Sequence, residues 1–112
     1  MSHQVYQQCI EECLDCAIAC DHCATECLKE KDVNHLAKCI QTDLECAAFC
    51  RAAASIMSLG SIRSAELCRL CADACNQCAN ECDKHAEMGM EHCRKCAVAC
   101  RKCAEACLAM MN

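Results

Sequence analysis

The sequence predicts an all-α protein: an up-down-up-down antiparallel four-helix bundle with a cysteine-lined core. Three observations predict it. Cysteines recur at alternating three- and four-residue spacings, proline is absent, and both glycines fall between the periodic segments. Such spacing places one stripe of cysteines, the seam, along one face of each helix, and short connections make neighbouring helices antiparallel. The 112 residues are expected to form a single domain, residues 1–112.

The first helix is predicted over about residues 3–30. Its cysteines are spaced by four, three, four, three and four residues, which keeps them on one face. They are Cys9, Cys13, Cys16, Cys20, Cys23 and Cys27. The seam then lapses in the stretch LKEKDVNH, where Asp32 is a candidate N-cap for the next helix.

The second helix, predicted over about residues 33–57, carries a less complete seam. Its cysteines are Cys39, Cys46 and Cys50, and the other seam positions hold Leu36, Asp43, Ala53 and Met57. Asp43 stands where the pattern expects a cysteine, and a buried carboxylate without a partner is costly. We therefore expect that Asp43 bonds a polar group or helps to hold an ion, or that the helix rotates and exposes it to water.

The third and fourth helices are predicted over about residues 61–87 and 90–111, with Gly60 and Gly89 in the connections before them. Both repeat the rhythm of the first helix. Their seams are Cys68, Cys71, Cys75, Cys78 and Cys82, and Cys93, Cys96, Cys100, Cys103 and Cys107. Three of the four helices thus contain CxxC pairs interleaved with CxxxC pairs, a specific pattern.

Composition and charge exclude several classes of partner. The chain begins without signal-peptide features and has no apolar run of roughly 18 residues, so a cytoplasmic location is expected. The net charge is −5 with dispersed acidic residues, and no basic stripe is present. Neither nucleic acid nor a membrane is therefore expected as a partner. Cytosolic thiols stay reduced, so abundant cysteine indicates metal binding or catalysis rather than a disulfide framework.

Several roles for the cysteines are open. Cysteine can act as a small buried hydrophobe, but Leu, Ile and Val gain more from burial. Side chains three or four residues apart on a helix are about 5–6 Å apart at Cβ, too wide for a disulfide, whereas an ion between two sulfurs fills that gap. The ferredoxin patterns of iron–sulfur proteins are absent. A zinc-binding bundle and a thiol redox protein remain alternatives.

Charge favours Cu(I) among the thiophilic ions. Each Cu(I) that replaces a thiol proton leaves the charge of the core unchanged, so many ions per chain can line up inside the bundle. Zn(II) with four thiolates leaves two negative charges per site, and a buried uncompensated ion costs several kcal/mol. The sequence therefore predicts multiple Cu(I) ions per chain as the bound metal, and no enzymatic activity.

On these seams the sequence resembles the cytosolic branch of the bacterial copper storage protein family, four-helix bundles whose cores are lined with cysteine. The resemblance covers the whole chain. It implies storage of multiple Cu(I) ions in the bundle core, a metal-free form that is already folded, and assembly into homotetramers. Apolar residues outside the seam are consistent with a subunit interface. They include Ile10, Leu14, Ile18, Ile40, Leu44, Leu67, Leu70 and Val98.

The predicted topology brings the connections at one pole of the bundle together. His35, His85 and His92 collect there with Met88 and Met90, each histidine at helical spacing from a seam cysteine. We expect a mouth where imidazole and thioether groups, weaker ligands than thiolates, pass Cu(I) inward. The resemblance implies the same kind of mouth.

The opposite pole is expected to be closed by flexible packing of methionine. Met57, Met110 and Met111 are predicted there with Tyr6, while His3 and His22 are assigned to solvent. The hydroxyls of Thr42 and Ser64 are expected on the helix surface or bonded to the backbone rather than to metal.

Overall fold

The computed structural model describes residues 6–111, in which four α-helices carry the seams. They are α1 (Gln7–Leu28), α2 (Ala37–Ser58), α3 (Ser64–Ala86) and α4 (Glu91–Ala109). A short 3₁₀ turn, Val33–Leu36, precedes α2. Gly60 and Gly89 adopt positive φ angles of 65° and 92° shortly after α2 and α3, where the chain reverses.

The helix boundaries differ from the predicted ones at several ends. Helix α1 stops at Leu28, directly after its last seam cysteine, and α3 begins at Ser64 rather than near residue 61. Residues 3–5 lie outside the described residues. Asp32 caps the 3₁₀ turn instead of an α-helix, and its side chain makes no capping hydrogen bond. The prediction of Asp32 as the N-cap of the second α-helix is wrong, because the 3₁₀ turn Val33–Leu36 lies between them and Leu36 takes that position.

The predicted antiparallel bundle is confirmed by the sulfur contacts between helices. Cys9 near the start of α1 contacts Cys107 near the end of α4, and the end of α1 meets the start of α4 through Cys27 and Cys93. Each helix packs against its chain neighbours, and α1 also packs against α4. The result is a rod of 47 × 18 × 17 Å. None of the described helices combines the length and the low polarity that crossing a membrane requires.

Every seam position faces the axis of the bundle. All nineteen cysteines are buried, and the substituted seam positions of α2 are buried with them, namely Leu36, Asp43, Ala53 and Met57. Small alanines fill the flanking buried positions, among them Ala17, Ala47, Ala72 and Ala97. Because alanine adds little bulk, the helices approach closely enough for their thiols to touch.

The apolar residues outside the seam divide into two groups. Ile10 is buried, while Ile40 and Leu67 are half-buried against the core, so these three pack within the bundle and are not available for a subunit interface. The rest are exposed on the outer faces of the helices. They are Leu14, Ile18, Leu44, Leu70 and Val98.

Candidate metal centre

A column of thiols runs along the inside of the bundle. Neighbouring sulfur atoms lie between 3.5 Å (Cys46 to Cys75) and 4.0 Å (Cys16 to Cys20) apart in the recorded contacts. All nineteen cysteines lie within the described residues and are free thiols. The spacing is far above the roughly 2.05 Å of a disulfide bond and slightly below the ~4.6 Å that two metal–sulfur bonds of about 2.3 Å span when they are in line.

Groups of four ligand atoms, each within 4.8 Å of one another, recur along this column. Three of the groups named below share members, since Cys16, Cys20, Cys46 and Cys100 each belong to two of them. The groups include Cys13, Cys71, Cys103 and Cys107; Cys16, Cys46, Cys50 and Cys75; Cys16, Cys20, Cys46 and Cys100; Cys20, Cys78, Cys96 and Cys100; and Cys23, Cys27, Cys39 and Cys93. This sharing suits a multinuclear cluster with bridging thiolates better than isolated mononuclear sites.

Contacts between helices are as short as contacts within one helix. Cys16 lies 3.7 Å from Cys100 on α4 and 3.9 Å from Cys46 on α2, against 4.0 Å from Cys20 on its own helix. The sequence pattern identified the pairs within a helix. The packing of the bundle adds pairs across helices, which means that a bound ion would tie neighbouring helices together.

Burial by itself disfavours the charged thiolate form of a cysteine. At Cys27, burial together with the neighbouring Cys39 and Cys93 raises the pKa of the thiol above its ordinary value. A proton on sulfur leaves each site neutral while no metal is bound. A monovalent ion that replaces the proton preserves that neutrality.

Asp43 interrupts the column with a carboxyl group that is completely buried. Its Oδ1 accepts hydrogen bonds from the thiols of Cys78 at 3.1 Å and Cys96 at 3.4 Å. Its Oδ2 is buried without a hydrogen-bond partner among the described residues. Burial, and then the nearby Cys96 and Cys78, raises the pKa of Asp43 to about 11. Helix α2 therefore does not rotate Asp43 into water; thiols supply the polar partner instead.

His85 lies at the pole where the mouth is predicted, and its side chain is buried. Its Nε2 is 3.0 Å from Oε2 of Glu81, one helical turn earlier on α3, while its Nδ1 is buried and makes no hydrogen bond among the described residues. The other oxygen of Glu81 lies 3.2 Å from Nζ of Lys84 and 3.9 Å from Nζ of Lys38. Burial alone would raise the pKa of Glu81, but the hydrogen bonds from His85 and Lys84 outweigh it and leave that pKa below its ordinary value.

His92 is held in a similar way on the other side of the mouth. Its Nε2 lies 3.2 Å from Oε2 of Glu30, which follows α1. Its Nδ1 lies 3.5 Å from the sulfur of Cys93, 3.7 Å from that of Cys23 and 3.9 Å from that of Cys27. The ring of His92 thus connects the surface to the outermost thiols.

The remaining residues of the predicted mouth lie at the same pole but nearer the solvent. His35 is exposed, and its ring centroid is 5.7 Å from that of His85 in an edge-to-face arrangement. Met90 is half-buried against the thiol core, whereas Met88 is largely exposed. The structure therefore brings the predicted residues together in two layers, with His85, His92 and Met90 at the core and His35 and Met88 outside them.

The opposite pole is closed by apolar packing, as predicted. Met57 is fully buried, and its Sδ accepts a hydrogen bond from the thiol of Cys68 at 3.5 Å. Tyr6 and Met110 pack against the same core. Met111 is more than one-third exposed, so its predicted place in this plug is wrong, because it follows the end of α4 and leaves the seam.

Two hydroxyl groups and two further histidines are predicted to take no part in metal binding. The hydroxyls of Thr42 and Ser64 donate to the backbone carbonyls of Cys39 and Ser61, as expected. His22 is exposed. His3 lies outside the described residues.

The seam pattern does not predict the two glutamates whose side chains contact the histidines of the mouth. Glu81 precedes His85 by four residues on one helix, and that spacing is a signal that side chains share a face. Glu30 carries no such signal. It reaches His92 across 62 positions of sequence, and only the meeting of the two connections brings the pair together.

Comparison with known proteins gives this arrangement a context. A family model described as copper storage protein matches residues 2–112 of this chain. A curated relative, an uncharacterized cysteine-rich protein, YhjQ, from Bacillus subtilis (strain 168), is 47% identical over 70 residues. That alignment covers 62% of this chain and 65% of the relative, slightly less than two thirds of its length.

Two similar solved structures are of copper storage proteins with copper bound. A Cu(I)-bound copper storage protein, BsCsp3, is 46% identical with a TM-score of 0.89, covering 96% of this chain and 98% of that one. A cytosolic copper storage protein from Streptomyces lividans, described as loaded with five coppers, is 43% identical with a TM-score of 0.92. The match covers 97% of this chain and 93% of that protein.

Proposed function

The chain belongs to the copper storage protein family, and we propose that it stores multiple Cu(I) ions on the thiolates of its bundle core. The observation that carries this proposal is the column of nineteen buried, free thiols with shared neighbours. Storage requires many equivalent sites rather than one reactive centre. The proposal therefore assigns no catalytic role to any residue.

Charge balance supports Cu(I) as the stored ion. Each ion displaces one thiol proton, so the core stays neutral while it fills. Tetrahedral zinc sites with four thiolates each would place two negative charges at every level of a narrow column, where repulsion and desolvation both oppose them. Because loading releases protons, retention of copper should weaken as the pH falls.

The mouth and Asp43 have supporting roles in this proposal. His85, His92, His35 and Met90 offer imidazole and thioether ligands at one pole, through which Cu(I) passes to the outermost thiolates. Asp43 offers an oxygen beside the sulfurs of Cys78 and Cys96. The opposite pole holds buried Met57 and its apolar neighbours, which supports entry and exit of copper by the histidine end.

The proposal also includes a cytoplasmic location and assembly into a homo-oligomer, a tetramer by analogy with the family. The support for a cytoplasmic location is the reduced state that nineteen free thiols require. The support for assembly is the apolar outer face of α1 and α2. Leu14, Ile18 and Leu44 expose about half or more of their surface there.

Anaerobic titration of the reduced, metal-free protein with Cu(I) tests storage directly. We expect uptake to approach one Cu(I) per cysteine in competition with a chromogenic Cu(I) chelator. The far-ultraviolet circular dichroism should change little if, as the family resemblance implies, the metal-free protein is already folded. Copper that saturates at one or two ions per chain would contradict storage.

Two other outcomes would support the alternative functions. If a few Zn(II) ions bind tightly while Cu(I) unfolds the helices, the chain is a zinc-binding bundle. If thiols are lost and recovered reversibly in pairs without metal, the chain is a thiol redox protein.

A variant in which the five cysteines of α4 are replaced by alanine tests storage in a second way. It should lose Cu(I) capacity in proportion to the missing thiols.

A further inference from the structure

The two core-facing histidines of the mouth share one arrangement, although they lie on different helices. In each, Nε2 lies beside a glutamate oxygen: Glu81 for His85 at 3.0 Å and Glu30 for His92 at 3.2 Å. In each, the other ring nitrogen, Nδ1, is not hydrogen-bonded to a carboxylate: in His85 it is buried without a hydrogen-bond partner among the described residues, and in His92 it lies within 3.5 to 3.9 Å of three sulfurs. The same contact between Nε2 and a glutamate indicates the same function for both pairs.

A neutral imidazole carries one N–H donor and one bare nitrogen that can accept a metal. A carboxylate accepts hydrogen bonds and donates none, so it selects the ring form with hydrogen on the nitrogen that faces it. Glu81 and Glu30 therefore fix hydrogen on Nε2 and leave the lone pair of Nδ1 free. The same contact sets the direction in which that lone pair points.

We propose that Glu81 and Glu30 are positioning residues that hold the rings of His85 and His92 with Nδ1 bare, ready to receive Cu(I) and pass it to thiolate. The inference rests on the storage function proposed above. It gives two glutamates a role that the spacing of the seam residues does not predict. Neither glutamate touches the core sulfurs in the recorded contacts, so both act through the histidines.

The two glutamates differ in how deeply they are buried and in how many side chains contact them. The side chain of Glu81 is only 8% exposed and is braced by Lys84 from α3 and Lys38 from α2. The side chain of Glu30 is 39% exposed, with His92 as its recorded side-chain partner among the described residues. His85 should therefore be the more rigid ligand and Glu81 the more consequential of the two glutamates.

The first test is the ring form of His85 in the reduced, metal-free protein. Long-range ¹H–¹⁵N spectra of ¹⁵N-histidine-labelled protein distinguish a bare ring nitrogen from a protonated one. We expect wild-type His85 to show bare Nδ1 and protonated Nε2. In Glu81→Ala the two nitrogen signals should move towards averaged values, and in Glu81→Gln, whose amide can donate as well as accept, they should return only part of the way to the wild-type pattern.

Glu26 provides the matched control, because it lies at the same pole and its recorded side-chain bond is to Lys29. Glu26→Ala should leave both histidine patterns unchanged. Circular dichroism of every variant checks that the bundle is folded. Lys38 and Lys84 are mostly exposed, so the removal of Glu81 leaves no buried cation. Ring signals of His85 that are identical in wild type and Glu81→Ala would overturn the positioning role.

The second test is the rate of copper uptake from a Cu(I)–chelator complex, followed by stopped-flow absorbance. Loss of a carboxylate behind a metal-binding histidine typically weakens function by 10- to 100-fold, so we expect Glu81→Ala to slow the first phase of uptake by about tenfold. Glu30→Ala should have a smaller effect, and Glu81→Gln should recover part of the rate. The final copper content should stay at the wild-type value.

The two tests separate this inference from the storage function. A wild-type protein that binds no Cu(I) overturns storage, whatever the ring signals show. A wild-type protein that fills with Cu(I) while Glu81→Ala loads at the wild-type rate overturns the role of Glu81 in delivery and leaves storage standing.

Discussion

At the scale of single residues, Asp43 shows how strongly the thiol column acts on a polar group. Burial and the neighbouring Cys96, Cys78 and Cys39 raise the pKa of its carboxyl group from 3.8 to about 11. The folded protein therefore keeps a proton on Asp43 that the unfolded chain releases at neutral pH. The stability of the fold is greatest, as far as Asp43 is concerned, below about pH 4 and declines as the pH rises through neutrality.

The variant Asp43→Asn removes this titration and should be more stable than wild type at pH 7. The gain is expected to be at most about 4 kcal/mol, because a shift of one pKa unit corresponds to about 1.4 kcal/mol and neutral pH lies about three units above the unfolded pKa. Urea unfolding of the reduced, metal-free protein measures it. Near pH 3 the two proteins should have the same free energy of unfolding.

Asp21→Asn is the control for this comparison. Asp21 is about half exposed and pairs with Arg51 on the surface, so its loss should bring no gain in stability at any pH. If Asp43→Asn followed the wild type across the whole pH range, Asp43 would have to be ionised in the folded protein. The protonated carboxyl described here would then be wrong.

At the scale of elements, α2 differs from the other helices in the residues that fill its seam. Ala53 occupies a fully buried seam position between Cys50 and Met57. We expect Ala53→Cys to add one thiol to the column and to raise the Cu(I) capacity by about one ion per chain. The added sulfur fills tightly packed space, so a loss of stability of about 1–3 kcal/mol is also expected.

The neighbouring Ala52 gives the matched control, since it is exposed on the same helix. Ala52→Cys also adds a thiol, but away from the column, and should not increase the copper retained against a competing chelator. The measurement is the Cu(I) content per chain after competition. Equal gains in both variants would show that the number of thiols, rather than their place in the bundle, determines capacity.

The connection between α3 and α4 depends on the backbone of Gly89. Its φ of 92° is a conformation that side-chain-bearing residues rarely adopt, and an added Cβ would meet no atom within 4 Å. Gly89→Ala should therefore destabilise the protein through backbone strain alone, by about 1–2 kcal/mol. Thermal unfolding measures this effect.

Gly89→Asn should be less damaging than Gly89→Ala, because asparagine tolerates positive φ better than alanine. Equal unfolding temperatures for wild type and Gly89→Ala would show that the connection relaxes to a negative φ. Such relaxation would also move Met90 and with it one wall of the mouth.

At the scale of the whole molecule, the exposed apolar face of α1 and α2 bears on assembly. Ile18 is 66% exposed and lies one turn from Leu14 on the same face. We expect Ile18→Glu to dissociate the proposed oligomer while leaving the bundle folded, because a charge at a buried interface is strongly unfavourable. Sedimentation or light scattering measures the mass, and Cu(I) titration checks that each chain still binds copper.

Leu108 on α4 is 47% exposed and provides a control on another helix. Leu108→Glu should leave the oligomer intact. A wild-type protein that runs as a monomer, or an Ile18→Glu protein with unchanged mass, would contradict an interface on this face.

The sequence by itself determined the four helices, the inward direction of nineteen thiols and the gathering of three histidines at one pole. The first two follow from periodicity, since residues spaced by three and four share one side of a helix whatever the tertiary context. The third follows from short connections, which make neighbouring helices antiparallel. The same reasoning identified Leu36, Asp43, Ala53 and Met57 as seam positions, and each is buried.

Only the tertiary structure decided which thiols meet across helices, what surrounds Asp43 and which groups hold the mouth histidines. Asp43 is 35 positions from Cys78 in sequence and 53 from Cys96, and Glu30 is 62 positions from His92. Periodicity fixes which way a side chain points but not the rotation and axial offset between helices. Contacts such as these depend on both, and both are set by close packing of the whole bundle.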